Sequence, residues 1–170
     1  MKLLVPSTFC VAGPSGVGKT SWVCNLIKHR EDVFVDSPTK IYWCYSHYQP
    51  AYEELSRDIP SVQFLEGIPA DFSDLIDSRN RNLVILDDLM SECGQNPEVT
   101  KLFTRGSHHQ NVTVVYIVQN LFHQSKESRT TISPNCHYLV LFKNPRDRSQ
   151  IMHLARQMYP GQSKFMIEAF

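Results

Sequence analysis

Five short apolar segments, rich in β-branched and aromatic residues, constrain the fold of this chain more than any other feature of its sequence. They are Thr8–Ala12, Ile41–Tyr45, Leu83–Leu86, Val112–Val118 and Tyr138–Phe142. Each segment is almost continuously apolar and does not alternate with polar residues, which is typical of parallel strands covered on both faces. The sequence therefore predicts a largely parallel sheet buried between layers of other elements.

Segments with helical periodicity separate these strands, and the alternation of strands and helices predicts an α/β domain. The three strongest helical segments are Thr20–Arg30, Pro97–His108 and Asp147–Met158. The weaker candidates are two helices and one short edge strand, at Gln49–Arg57, Asp71–Ser78 and Val62–Leu65. The length of 170 residues fits a single domain, from 1 to 170. The last helical segment, Gln162–Phe170, has no capping signal, which suggests that the domain is truncated at its C-terminus.

Composition and charge exclude several classes of protein. A chain that is 42% hydrophobic and 20% charged is neither disordered nor fibrous. Its net charge of zero excludes a uniformly basic nucleic-acid coat protein. The charge is uneven, however, because residues 46–100 contain three basic and eleven acidic residues whereas residues 121–170 contain seven basic and three acidic ones. The second half of the chain is therefore compatible with a local surface that binds a polyanion.

The cysteines and the apolar segments indicate the cellular setting. The five cysteines are irregularly spaced and include no CxxC pair, which favours reduced thiols over a disulfide framework or a zinc ribbon. No segment approaches the roughly 20 apolar residues of a membrane helix, and the N-terminal apolar segment is too short for a signal peptide. The sequence predicts a soluble intracellular protein that is not secreted.

A glycine-rich segment joins the first strand to the first helix and matches the motif GxxxxGK[ST] in full. It reads Gly13-Pro14-Ser15-Gly16-Val17-Gly18-Lys19-Thr20. The backbone N–H groups of such a loop can surround a phosphate, and the helix N-terminus adds positive potential. We expect Lys19 to reach the β- and γ-phosphates and the Thr20 hydroxyl to bind Mg²⁺. The alternative is a glycine turn without a ligand, although a chance match is expected in only about one in a few hundred chains of this length.

Two carboxylates follow the strand Leu83–Leu86, at the sheet edge where the glycine-rich segment is also expected. Asp87 is a candidate for holding Mg²⁺ through its water shell. Asp88 is a candidate general base that polarises the attacking water. The alternative for both is an acidic turn after a strand, because aspartate is common in turns.

Two more polar residues are candidates for the same site. Gln119 follows the strand Val112–Val118 and could contact the γ-phosphate or the water; otherwise it satisfies loop backbone. Arg105 precedes that strand and could be supplied to the γ-phosphate of a neighbouring subunit, a role worth about 10³–10⁵ in rate. Arg129 is a second candidate for this role, and either arginine could instead be an ordinary solvated residue.

The combination of these motifs resembles the FtsK–HerA superfamily of P-loop ATPases. The later segments narrow the resemblance to the genome-packaging ATPases of large double-stranded DNA viruses, of poxvirus, Polinton/Maverick and adintovirus type. These segments are Gln119-Asn120-Leu121-Phe122, Arg129-Thr130-Thr131-Ile132-Ser133 and the stretch from Tyr138 to Asp147. The resemblance runs from about Thr8 to the C-terminus and is weak over residues 46–80.

The resemblance implies a RecA/ASCE-like P-loop NTPase, a three-layer α/β/α fold with a mostly parallel five-stranded core sheet in the order 5-1-4-3-2. It implies a homo-oligomeric ring that hydrolyses ATP with Mg²⁺ and packages double-stranded DNA into a capsid. Capsid or portal proteins would be its partners, at assembling virions in the host cytoplasm or nucleus, without a membrane. By the same resemblance Lys19 and Thr20 form the Walker A pair and Asp87 and Asp88 the Walker B pair. Gln119 would be the strand-4 sensor, and Arg105 the finger acting in trans.

Two departures from the family pattern stand beside this resemblance. The family usually has a further strand after the position where this chain ends, and many relatives carry glutamate where this chain has Asp88. Basic residues that could track DNA occur in the second half, at Lys126, Arg129, Lys143, Arg146 and Arg148. Two other functions stay open: an assembly ATPase resembling those of filamentous-phage morphogenesis, and a nucleotide kinase, since GPSGVGKT also resembles the loop of guanylate kinases.

Overall fold

The computed structural model describes residues 2–89, 93, 96–106, 110–121 and 135–169, with the backbone alone for Arg105 and Gly106. The described residues form six strands. These are β1 (Thr8–Ala12), β2 (Lys40–Tyr45), β3 (Val62–Glu66), β4 (Asn82–Asp87), β5 (Val112–Val118) and β6 (Tyr138–Leu141). All five predicted strands are present, with ends that differ by at most one residue, because their continuous apolar character matches a fully buried environment.

The six strands form one sheet in the order β3-β2-β4-β5-β1-β6, and every described pairing is parallel. The prediction of an α/β fold with a parallel sheet is therefore confirmed. The predicted five-stranded order 5-1-4-3-2 is corrected, because β3 pairs with β2 along Ile41–Tyr45 and becomes the outer strand. The other five strands keep the neighbours that the predicted order specifies. β3 is only half buried, so its sequence pattern was the weakest of the six.

Helices cover both faces of the sheet, which explains why the strands are apolar on both sides. On one face α1 (Lys19–Lys28) and α3 (Pro50–Asp58) contribute Val23, Ile27 and Leu55 to a cluster that also contains Phe9 and Val11 of β1. On the other face α4 (Pro97–Lys101) and α5 (Ser149–Met158) contribute Val99 and Leu154 to a second cluster. This cluster also contains strand residues such as Cys10 of β1 and Val114 of β5. The two short helices α2 (Arg30–Val33) and α6 (Ser163–Ala169) complete the described set.

Three predicted helices differ from the observed ones. The predicted helix Thr20–Arg30 is interrupted at His29, after which α2 begins. The predicted helix Pro97–His108 is α-helical only to Lys101 and continues as a π-helix over Leu102–Gly106; residues 107–109 lie outside the described part.

The predicted helix Asp71–Ser78 consists of turns. Two aspartate side chains accept hydrogen bonds from nearby backbone N–H groups, Asp71 from Ser73 at 2.8 Å and Asp77 from Arg79 at 3.0 Å. Such local bonds compete with helical hydrogen bonds, and this competition explains the error. The predicted helix Gln49–Arg57 is present as α3, shifted by one residue.

The described helices include none with both the length and the apolar character needed to cross a bilayer. In a parallel sheet the carboxyl ends of all strands lie at one edge. Here that edge brings together the ends of three neighbouring strands, since Ala12 of β1 lies opposite Val118 of β5 and Asp87 of β4 lies opposite Ile117. The polar residues that follow these strands therefore lie close to one another.

Candidate functional site

The segments after β1, β4 and β5 enclose a cavity of about 250 Å³ at the carboxyl edge of the sheet. It lies between the glycine-rich loop, the end of β4 and the end of β5. The residues that line it are Ser15, Gly16, Lys19, Thr20, Gln49, Asp87, Asp88, Ile117, Val118 and Gln119. Asp87, Asp88 and Gln119 are all among these lining residues. Of the predicted loop residues, Ser15, Gly16, Lys19 and Thr20 line the cavity, and Gly13, Pro14, Val17 and Gly18 are not among the lining residues.

The glycine-rich loop depends on two glycines with left-handed backbone conformations. Gly16 has φ 79° and Gly18 has φ 92°, values that L-residues with a side chain rarely adopt. Gly18 is also the N-cap of α1 and, having no side chain, provides no acceptor for the first N–H groups of the helix. These N–H groups therefore remain available to an anion in the cavity.

The first glycine of the loop is required for a different reason, which is close packing. A Cβ atom at Gly13 would lie 2.6 Å from Cβ of Phe142, the residue after β6. The Gly13 N–H donates to the Val118 carbonyl at 3.2 Å, and the Phe142 N–H donates to the Ala12 carbonyl at 2.8 Å. The start of the loop is thus held between β5 and β6.

The Lys19 side chain folds back onto the loop that precedes it. Its ammonium donates to the carbonyls of Gly13 at 2.7 Å and Pro14 at 2.8 Å, and the residue is 8% exposed. Burial lowers the pKa of Lys19, while the negative charges of Asp87 and Asp88 oppose this shift. A cation is therefore held beside two carboxylates at the floor of the cavity.

Asp87 is 3% exposed and accepts two hydrogen bonds on the same oxygen, Oδ2. Thr20 Oγ1 donates at 3.3 Å and the Tyr52 hydroxyl donates at 2.8 Å. Burial raises the pKa of Asp87; the two hydrogen bonds and the charge of Lys19 act in the opposite direction, and Asp88 adds to the increase. The two residues predicted as magnesium ligands, Thr20 and Asp87, are thus in direct contact.

Asp88 turns the chain sharply out of β4. Its φ of 55° lies in the left-handed region, which aspartate tolerates better than most residues with a Cβ. Its Oδ1 accepts a hydrogen bond from Gln119 Nε2 at 3.0 Å, and both side chains are exposed at the mouth of the cavity. The structure therefore joins the predicted candidate base to the predicted amide across the ends of β4 and β5.

Two polar residues of the site were not predicted from the sequence, in addition to the apolar Ile117 and Val118 at the end of β5. Gln49, the N-cap of α3, lines the cavity, and Tyr52 on the first turn of the same helix donates to Asp87. The helical pattern of this segment located α3 correctly. It contained no sign that the polar end of a fully buried tyrosine reaches the end of β4, because that contact depends on how α3 packs on the sheet.

The remaining candidates are only partly described. The backbone of Arg105 lies in the π-helix Leu102–Gly106, whereas Arg129 and Lys126 lie outside the described residues. The basic residues Lys143, Arg146 and Arg148 are exposed between β6 and α5. Lys143 and Arg148 also line a second cavity, of about 380 Å³.

The described residues contain no group of three or more histidine, cysteine, aspartate or glutamate side chains that could hold a metal ion. In proteins Mg²⁺ is usually held by one or two protein oxygens, with water and substrate phosphates as the other ligands. The Thr20 hydroxyl and the Asp87 carboxylate form such a donor pair at the cavity wall. The residues present therefore fit a hydrated Mg²⁺ ion.

No protein-family model matches this chain, and no curated protein matches its sequence.

Proposed function

We propose that this chain is an ATPase that hydrolyses Mg²⁺-ATP at the cavity between β1, β4 and β5, and that it is a P-loop NTPase of RecA/ASCE type. The observation that carries the proposal is the hydrogen bond between Thr20 and Asp87. The two residues are 67 positions apart and come from the two motifs that the sequence assigned to magnesium. They meet at the carboxyl edge of the parallel sheet, which is where a phosphate loop and a magnesium ligand of such an enzyme would both lie.

Phosphate binding is assigned to the loop and to Lys19. The glycines at 16 and 18 allow the backbone N–H groups to turn toward one anion, and α1 adds the positive potential of its N-terminus. The Lys19 ammonium, which contacts loop carbonyls, would exchange them for β- and γ-phosphate oxygens. Mg²⁺ held by Thr20 and Asp87 would neutralise part of the negative charge that develops on the phosphates.

Hydrolysis is assigned to Asp88 and Gln119. The Asp88 carboxylate accepts a proton from a water molecule as the water oxygen forms a bond to the γ-phosphorus and the bond to the ADP oxygen breaks. The Gln119 amide donates to Asp88 Oδ1 and so fixes the orientation of the carboxylate. Since the aspartate side chain is shorter than that of glutamate, this support is needed to hold the base near the water.

We further propose that hydrolysis drives a homo-oligomeric ring that packages double-stranded DNA into a capsid, with capsid or portal proteins as partners. The motif resemblance supports this step, and so do the exposed basic residues Lys143, Arg146 and Arg148 beyond β6. Contacts to backbone phosphates suit a motor because they do not depend on base sequence. In the ring, Arg105 of one subunit would reach the γ-phosphate bound by its neighbour.

The test is phosphate release from ATP with and without long duplex DNA. We expect Mg²⁺-dependent hydrolysis that DNA stimulates, and we expect Lys19→Ala to reduce it by about 10²-fold or more, as loss of one charge-stabilising donor does. Lys40→Ala is the matched control, because Lys40 is an exposed lysine at the start of β2, at the opposite edge of the sheet.

Each other outcome points to a different conclusion. Wild-type hydrolysis in Lys19→Ala would contradict the site assignment. Hydrolysis that assembled oligomers perform without any response to DNA would contradict the motor and favour an assembly ATPase. ADP formation that depends on GMP would favour a nucleotide kinase.

A further inference from the structure

We infer that Tyr52 is a positioning residue for the metal site, acting through Asp87. This inference rests on the proposed function, since it concerns the Mg²⁺ that Thr20 and Asp87 would hold. Tyr52 is fully buried, and it is not among the described residues that line the cavity. Its hydroxyl contacts Asp87 directly, so the effect of that hydroxyl on a ligand would pass through this carboxylate.

The hydrogen bonds of Asp87 define which oxygen remains free. The Tyr52 hydroxyl donates to Oδ2 at 2.8 Å, a shorter contact than the 3.3 Å bond from Thr20 to the same atom. Within the part of the chain that the structure describes, Oδ1 of Asp87 accepts no hydrogen bond. Two donors on one oxygen fix the rotation of the carboxylate and leave the other oxygen for the cation or for its bound water.

The ring of Tyr52 is itself held in place from several sides. Its centroid lies 5.2 Å from the rings of Trp43 and Phe64, 5.4 Å from that of Tyr45 and 5.5 Å from that of Tyr48. The ring of Phe64 is stacked at 27° to it. The hydroxyl therefore has a fixed position, which is what a group that orients a metal ligand requires.

The two helices that provide the donors to Asp87 are also joined to each other. Lys28 of α1 donates to Glu54 of α3 at 2.9 Å and approaches Asp58 at 2.7 Å. Thr20 lies at the start of α1 and Tyr52 on the first turn of α3. The carboxylate of Asp87 thus accepts hydrogen bonds from two helices that are joined by an ion pair, and Tyr52 is linked to the metal site without lining the cavity.

The variant Tyr52→Phe tests the inference because it removes one oxygen atom and keeps the ring. We expect the Mg²⁺ concentration that gives half-maximal hydrolysis to rise by about 10–100-fold, the range seen when such an outer partner of a metal ligand is lost. Binding of a fluorescent ATP analogue in EDTA should stay at the wild-type level. A merely structural role would weaken both measurements together.

Tyr42→Phe is the matched control. Tyr42 is also a buried tyrosine, and its hydroxyl donates to the Leu75 carbonyl at 2.6 Å, away from Asp87. This variant should keep the wild-type dependence on Mg²⁺. In an Asp87→Asn background, Tyr52→Phe should cause no additional change in the Mg²⁺ dependence of analogue binding, because the two residues act as one unit.

The outcomes separate the inference from the function on which it rests. If wild type depends on Mg²⁺ and Tyr52→Phe has the same dependence, the inference alone is overturned. If wild type neither binds nor hydrolyses Mg²⁺-ATP, the proposed function is overturned and the inference with it. Should Tyr52→Phe weaken analogue binding in EDTA as well as raising the Mg²⁺ concentration required, the role of Tyr52 is structural and the inference is overturned.

Discussion

Asp87 is the residue at which the requirements of protein stability and of cation binding conflict most directly. Burial disfavours its charged form, and its pKa is raised even though Lys19, Thr20 and Tyr52 all favour that form. A buried carboxylate whose charge is only partly compensated is poorly placed for stability but well placed for a divalent cation. The local cost of burying it is thus consistent with a site for Mg²⁺.

The neighbouring carboxylate should be separable from binding by mutation. Asp88→Asn keeps an oxygen that can accept the Gln119 bond and removes the ability to take a proton. We expect it to bind Mg²⁺-ATP within about threefold of wild type and to lower the rate of hydrolysis by about 10²–10⁴-fold, the range attributed to a general base. Analogue binding and single-turnover phosphate release measure the two effects.

A different pattern would reassign this residue. Loss of ATP binding in Asp88→Asn would make Asp88 a metal ligand and not a base. Asn120→Ala is a suitable comparison, since Asn120 follows Gln119 in the chain and has no assigned role in the reaction.

Site residues could be predicted from the sequence where a motif determines the local backbone conformation. Lys19 and Thr20 follow from the loop motif, and Asp87, Asp88 and Gln119 from the ends of apolar strands, because parallel strands end at one edge. The structure brings all five to one cavity. Tyr52 and Gln49 could not be predicted, since their proximity to the site depends on the packing of α3 and not on any local pattern.

At the scale of elements, the buried strands were predictable and the boundaries of helices less so. The strands β4 and β5 are buried at every position, so their continuously apolar sequences indicated buried strands clearly. The half-buried β3 gave a weaker pattern, and its place at the sheet edge came from pairing with β2. The segment around Asp71 and Asp77 had helical periodicity but forms turns, because both side chains accept hydrogen bonds from nearby backbone N–H groups. Periodicity alone does not reveal such local hydrogen bonds.

The contact between the loop and β6 gives a prediction at this scale. In Gly13→Ala the new Cβ would meet Cβ of Phe142 at 2.6 Å, and neither atom is the end of a flexible side chain. We expect a loss of about 1–3 kcal/mol in the free energy of unfolding, as overpacking of a close contact produces. Denaturant unfolding measures this loss.

Gly161→Ala is the control for that measurement. A Cβ at Gly161 meets nothing within 4 Å, and the backbone there is not left-handed. Its free energy of unfolding should stay within about 0.5 kcal/mol of wild type. Equal stability of the two variants would mean that β6 moves away from β1 without cost.

At the scale of the whole molecule, neutrality and nucleic-acid binding are compatible because the charge is unevenly distributed. Residues 46–100 contain eleven of the 17 acidic residues, whereas residues 121–170 contain seven of the 17 basic ones. The described basic residues Lys143, Arg146 and Arg148 lie just beyond β6, the outer strand on one side of the sheet. A net charge of zero therefore argues against a protein that coats DNA, but it is compatible with DNA binding at one local basic surface.

The proposed ring assembly gives a prediction that only a mixture of subunits can test. Neither Arg105→Ala nor Lys19→Ala should hydrolyse ATP alone. A mixture should recover part of the activity, because a Lys19→Ala subunit can supply Arg105 to the intact loop of its neighbour. Steady-state hydrolysis measured across mixing ratios gives the result.

The same mixing with Arg129→Ala distinguishes the two arginines. Recovery with Arg105→Ala but full activity of Arg129→Ala alone would assign the trans role to Arg105. If mixing restores nothing for either variant, neither Arg105 nor Arg129 acts between subunits.

The position of β1 in the sheet has a consequence for synthesis of the chain. β1 precedes the other described strands in the chain, yet its partners are β5, where Thr8 lies opposite Val114, and β6, where Phe9 lies opposite Tyr138. Such distant pairings are slow to form, because a long loop must close before they contribute. The pairings that hold the start of the glycine-rich loop therefore form only after the segment up to β6 has been synthesised.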